Sequence, residues 1–93
     1  MPLQANYIRE LLRAANRIEH LSQEEIRQRL NLTVLLIGRA LDHSQIRDLP
    51  RVVEAENYLR AVNASKRELH PQDAKAAFLR AVYILHILKR VAF

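Results

Sequence analysis

The chain of 93 residues contains no cysteine, no tryptophan, one glycine and three prolines. Without cysteine there is no disulfide framework, no thiolate metal site and no cysteine nucleophile, which sets aside the small secreted scaffolds that staple an undersized core. A single glycine, Gly38, cannot build a glycine-rich phosphate loop, so the common nucleotide-hydrolysing motifs are excluded. The scarcity of glycine and proline also removes the turn chemistry of hairpins. Apolar runs such as Val34 to Ile37 stop far short of the roughly 20 residues that a membrane-spanning helix needs. Met1 to Leu12 carries Arg9 and Glu10 and no continuous apolar segment, so it has the form neither of a secretory signal nor of a membrane anchor. The expectation is a cytoplasmic protein.

What is present is helix-forming: Leu, Ala, Arg and Glu dominate, and the length suits one domain, residues 1–93, with a single modest core. The pattern predicts an all-α, compact antiparallel bundle of about four helices. The first spans Leu3 to Leu21, where Ile8, Leu11, Leu12, Ala15 and Ile18 share one arc. Ser22 followed by Glu25 has the form of a capping box, which starts the second helix at Gln23 and carries it to Asp42. Its main stripe is Ile26, Leu30, Val34, Ile37 and Leu41, with Leu32, Leu35 and Leu36 outside it. Asp42 to Asp48 reads as a polar connector, with Asp48 capping a third helix from Leu49 to Ala64 that holds Pro50 in its first turn. Val52, Ala55, Leu59 and Val62 form its inner face, with Tyr58 at the margin. Asn63 to His70 is a second polar connector, and the last helix starts at Pro71. There Ala74, Ala77, Ala81, Ile84, Leu88 and Val91 recur at alternating spacings of three and four, widened by Phe78, Val82 and Leu85. The second and last helices, the most apolar, are expected at the centre.

Chemistry-bearing constellations are weak. His20, His43, His70 and His86 show no pairing at helical ligand spacing, and exposed or capping roles account for them. Asp42, His43 and Ser44 name a hydrolase triad, but adjacent residues cannot adopt its relay geometry. The close carboxylates Glu24 with Glu25 and Glu54 with Glu56 diverge on a helix and give no acid–base couple. Ile37 to Val53 has the outline of a helix-turn-helix, but Pro50 and Asp48 fall inside its would-be reading helix. Asn31, Leu32 and Thr33 form a glycosylation sequon that lies within a helix. Gly38, also within a helix, costs about 1 kcal/mol relative to alanine, and close approach of a neighbouring helix is the expected reason for it. No enzyme, cofactor or small-molecule substrate is suggested.

Two features carry functional content. Lys and Arg number 15 against 10 Asp and Glu, a net charge of +5. Arg9, Arg13 and Arg17 recur every four residues, and Lys66, Arg67, Lys75, Arg80, Lys89 and Arg90 against Glu68 and Asp73 leave +4 in the last stretch. Arg9, Arg13, Arg17, Lys89 and Arg90 are therefore candidate contacts to a polyanion such as nucleic acid, set against the plainer reading of a solvated basic face. The second feature is apolar surplus: Leu32, Leu35, Leu36, Val82, Ile87 and Phe93 exceed what one small bundle should bury. They are candidate interface residues, closed by a second copy in a homodimer or by a partner protein. The leading expectation is a small non-catalytic regulatory or adaptor protein acting through apolar helix faces. A nucleic-acid-binding protein using the arginine face is the alternative.

Overall fold

A few side chains decide where each helix begins. In the computed structural model, which describes residues 3–91, α1 is Leu3–Asn16, α2 Gln23–Asp42, α3 Pro50–Ala64 and α4 Pro71–Val91, with no strand among the described residues. The capping box at α2 is present: the Glu25 N–H donates to Ser22 Oγ at 3.1 Å and the Ser22 N–H donates to Glu25 Oε1 at 3.0 Å. Those bonds hold the Glu25 carboxyl below its ordinary range, so stability from this cap is present at neutral pH and is lost as pH falls through that range. Pro71 starts α4, and the Gln72 N–H donates to His70 Nδ1 at 3.1 Å, which makes His70 a cap. At α3 the expectation is corrected. Asp48 does not cap it; Leu49 is the N-cap residue, without a side-chain bond, and Pro50 at the first position supplies the preset helical φ.

α1 ends at Asn16 rather than Leu21, and residues 18–20 tighten into a 3₁₀ turn. A second such turn, Gln45–Asp48, lies in the stretch read from sequence as a polar connector, with the Ile46 N–H donating to Ser44 Oγ. That turn, followed by α3 at Pro50, leaves no helix placed as a helix-turn-helix would need. Each connector carries one apolar plug into the core: Ile18, Ile46 and Leu69 are all buried. The third connector is also clamped from α2. Gln23 pairs with Leu69 through both amide atoms, donating to its carbonyl at 2.9 Å and accepting from its N–H at 2.8 Å, and Arg27 donates to the carbonyls of Ser65 and Arg67.

One helix organises the rest. α4 packs against α1, α2 and α3, and Ala74, Ala77, Phe78, Ala81, Val82, Ile84, Leu85 and Leu88 are all buried. Arg80 stacks over the Tyr58 ring at 4.0 Å and ties α4 to α3. The expectation that α2 shares the centre is corrected. Its stripe Ile26, Leu30, Thr33, Ile37 and Leu41 is buried, with Thr33 in the place given to Val34, and on another arc Leu32, Leu35 and Leu36 stay exposed among the described residues. Leu12, placed inside from sequence, is exposed because α1 lies on α4 and presents only one side to it. The radius of gyration is 12.7 Å, near the roughly 12 Å expected for a folded chain of this length, so α2's open arc is not a sign of loose packing.

Gly38 has no close helix against it. The nearest group to an added Cβ is the flexible tip of Arg60 at 3.5 Å, an ordinary contact, so the expected reason for this glycine is not met. Gly38→Ala is accordingly expected to stabilise the fold by about 0.5–1 kcal/mol, raising Tm by a few degrees. Urea unfolding followed by circular dichroism reads the change, and a loss of stability would show that Arg60 cannot yield.

Candidate functional site

α1 and α2 are consecutive in the chain yet hardly packed on each other, because α1 lies on α4 while α2 leans on α3 and α4. The splay leaves a groove between them. A hydrogen-bonded bridge and an ion pair cross it. Thr33 donates its hydroxyl proton to the Arg29 carbonyl at 2.6 Å, so the 2.7 Å contact between Tyr7 and Thr33 has the Tyr7 hydroxyl as donor. Burial pushes the Tyr7 phenol above its ordinary value, opposed by the nearby Arg29 charge. Beside the bridge, Arg29 Nη1 stands 3.9 Å from Glu10 Oε2, the Glu10 side chain mostly and the Arg29 side chain partly in water, a pair worth little to stability.

Tyr7→Phe keeps the ring and removes the hydroxyl, leaving Thr33 its bond to Arg29, and is expected to cost about 1 kcal/mol. The phenol ionises less readily folded than unfolded, so its contribution is full below the ordinary tyrosine range and is lost as pH rises through and beyond it. Denaturation series at neutral pH and above pH 10 check both parts, and the Phe variant should lose less stability at high pH than the parent.

The groove changes character along its length. Toward the middle of α2 it is apolar, about 420 Å³ lined by Tyr7, Leu32, Leu36, Ala40 and Leu85, with Asn6 and Glu10 at the rim. Toward the α1–α2 connector it is polar, about 400 Å³ lined by Arg13, Arg17, His20 and Arg29 with Glu10, Glu25, Ala14 and Leu21. A middle section shares Tyr7, Glu10 and Leu32 with the first and Glu10, Leu21, Glu25 and Arg29 with the second, so the two are continuous.

The apolar candidates divide sharply. Leu32, Leu35 and Leu36 are 50%, 61% and 39% exposed, and two of them line the groove. Val82 is only 7% exposed and belongs to the chain's own core, because the central position of α4 buries most of its circumference; its reading as interface residue is corrected. Ile87 is half-buried and packs against that core. Phe93 lies outside the described residues. Of the basic candidates, Arg9, Arg13 and Arg17 are all exposed, and Arg13 and Arg17 line the polar end while Arg9 does not. Lys89 and Arg90 are exposed in the last turn of α4, about 27 Å along the helix from Pro71, whose connector is bonded to the start of α2. The basic set is therefore not gathered into one patch.

Sequence reasoning missed Tyr7, Glu10, Arg29, Ala40 and Leu85 as groove residues. Thr33 is the one clue: a hydroxyl within the apolar run of α2 calls for a partner, and Tyr7 supplies it. Among the described residues no group of His, Asp and Glu could hold a metal ion, and no helix is long and apolar enough to cross a membrane. Comparison of the chain with protein-family models, with curated proteins and with solved structures finds no match.

Proposed function

We propose that this protein is a non-catalytic interaction module, of regulatory or adaptor type, that receives a helix of another protein in the groove between α1 and α2. The observation that carries the reading is the exposure of Leu32, Leu35 and Leu36 on one arc of α2 beside an apolar cleft, while the core closes without them. Apolar side chains scattered over a surface need no explanation, but three on one helix face next to a groove have the form of a docking site. A groove between two helices, with aliphatic walls and an aromatic floor, suits the apolar stripe of an amphipathic helix.

Selection from a displayed library of helical peptides tests this, with counter-selection on the Leu32→Gln/Leu36→Gln variant. Enriched sequences should carry apolar residues at i, i+3 or i+4, and i+7, and should lose binding to the variant. No enrichment, or binders indifferent to both leucines, contradicts the reading. Light-scattering mass is run alongside: a homodimer that Leu35→Gln dissociates would turn the reading toward self-association.

The nucleic-acid alternative is favoured by the exposed row Arg9, Arg13 and Arg17. The apolar lining of the adjoining cleft, and the distance from this row to Lys89 and Arg90, weigh against it. A salt-sensitive change in light-scattering mass with duplex DNA or RNA would promote it.

A further inference from the structure

We infer that the helix received by the groove is acidic at one end, with carboxylates that meet Arg13 and Arg17 while its apolar stripe covers Leu32 and Leu36; this rests on the reading above. The groove is not uniform, and its two ends ask for different chemistry. At the polar end three guanidinium groups, Arg13, Arg17 and Arg29, and the His20 ring face two carboxylates. Both carboxylates are engaged: Glu25 accepts from the Ser22 N–H, and Glu10 lies nearest Arg29. Arg13 and Arg17 enter no ion pair among the described residues. Two unpaired guanidinium groups beside an apolar cleft form a composite surface, to which a helix with carboxylates at one end and an apolar stripe along its length is complementary in both charge and polarity.

The same charges argue against the other occupants. A second copy would bring another +5 chain against this groove, and α1, one of its walls, carries Arg9 and Arg13 against Glu10. A nucleic-acid backbone would find nothing to match Tyr7, Leu32, Leu36 and Leu85. An acidic helix satisfies both ends at once. Carboxylates on the incoming helix also set its direction, since only one orientation places them over Arg13 and Arg17 with the apolar stripe in register.

The test uses the full chain and synthetic helices that keep the apolar pattern recovered by selection. They differ only in carrying Glu, Gln or Lys along the exposed positions of one terminal pair of turns. Binding is read by fluorescence anisotropy at physiological salt. The Glu helix should bind about tenfold or more tighter than the Gln helix, as two charge-assisted contacts would give. Arg13→Gln/Arg17→Gln should erase that preference, and Arg13→Glu/Arg17→Glu should reverse it in favour of the Lys helix. Both pairs lie on the exposed surface, and circular dichroism confirms that the variants are folded. Equal binding of the Glu, Gln and Lys helices would overturn the acidic end and leave the groove reading standing. Failure of every helix to bind in a manner that depends on Leu32 and Leu36 would overturn both. Displacement of the Glu helix by a duplex DNA or an RNA hairpin that binds tighter through Arg13 and Arg17 would overturn the inference in favour of nucleic acid. A homodimer that excludes all the helices would overturn it in favour of a second copy.

Discussion

Phe78→Ala is expected to remove about 3–5 kcal/mol of folding stability, the largest single effect available in this chain. Phe78 is the largest of the fully buried side chains, and it stands on α4, which packs against each of the other three helices. A domain of this size has about 5–14 kcal/mol in total, so the variant should retain a fold only marginally. Its thermal midpoint should drop by on the order of 20 °C. The cost has two parts: the ring's transfer free energy, and the cavity left where α4 cannot collapse because its neighbours are held in place by other contacts. Among those are the Gln23 clamp on Leu69 and the stacking of Arg80 on Tyr58. Thermal melts and urea titrations measure it. A loss below about 1.5 kcal/mol would show that the space around Phe78 refills and that α4 is not the organising element.

The second large effect concerns binding and leaves the fold alone. Leu32→Gln with Leu36→Gln is expected to weaken association with a selected helix about 10- to 100-fold, since docking covers roughly the half of each leucine still in water, about 1.5–3 kcal/mol for the two together, and every 1.4 kcal/mol is a factor of ten. Folding stability should move by less than about 1 kcal/mol, because both side chains are already substantially in water and Gln is a good helix former. A neighbour on the same helix gives the contrast. Leu30, two positions before Leu32, is fully buried, and Leu30→Ala should cost about 2–5 kcal/mol of stability. Parallel denaturation and titration of the two variants separate a docking face from a core face. If the double Gln variant unfolded as readily as Leu30→Ala, the exposed leucines would be structural and the groove would lose its claim as a site.

Much of this architecture is legible in the chain because it depends on neighbours in sequence. Ser22 with Glu25, Pro50 and Pro71 each act within one helical turn, and the starts of α2, α3 and α4 follow from them to within one residue. The surplus on α2 was equally readable, since Leu32, Leu35 and Leu36 fall outside a stripe that already fills one face. What could not be read depends on partners far away. Ile46 and Leu69 lie in stretches read as polar connectors, so no periodicity announces that they plug the core. Leu69 is held by a glutamine that lies 46 positions earlier in the chain. Val82 looks like surplus on an isolated helix, and only the placement of α4 among three neighbours buries it. The groove is the same kind of property. Its lining residues come from α1, α2 and α4, and it exists because α1 and α2 splay apart, a relation between helices that no single helix's pattern encodes.

The central claim is that another helix docks between α1 and α2. Chemical-shift mapping on the isotopically labelled chain, titrated with a helix recovered by selection, tests it most directly. The account predicts that the methyl groups of Leu32, Leu36 and Leu85 and the ring of Tyr7 shift together and saturate with one equivalent, while Leu49 and Val53, exposed at the beginning of α3, stay where they are. Shifts centred on Leu49 and Val53, or on Lys89 and Arg90 with Leu32 and Leu36 unmoved, would contradict it.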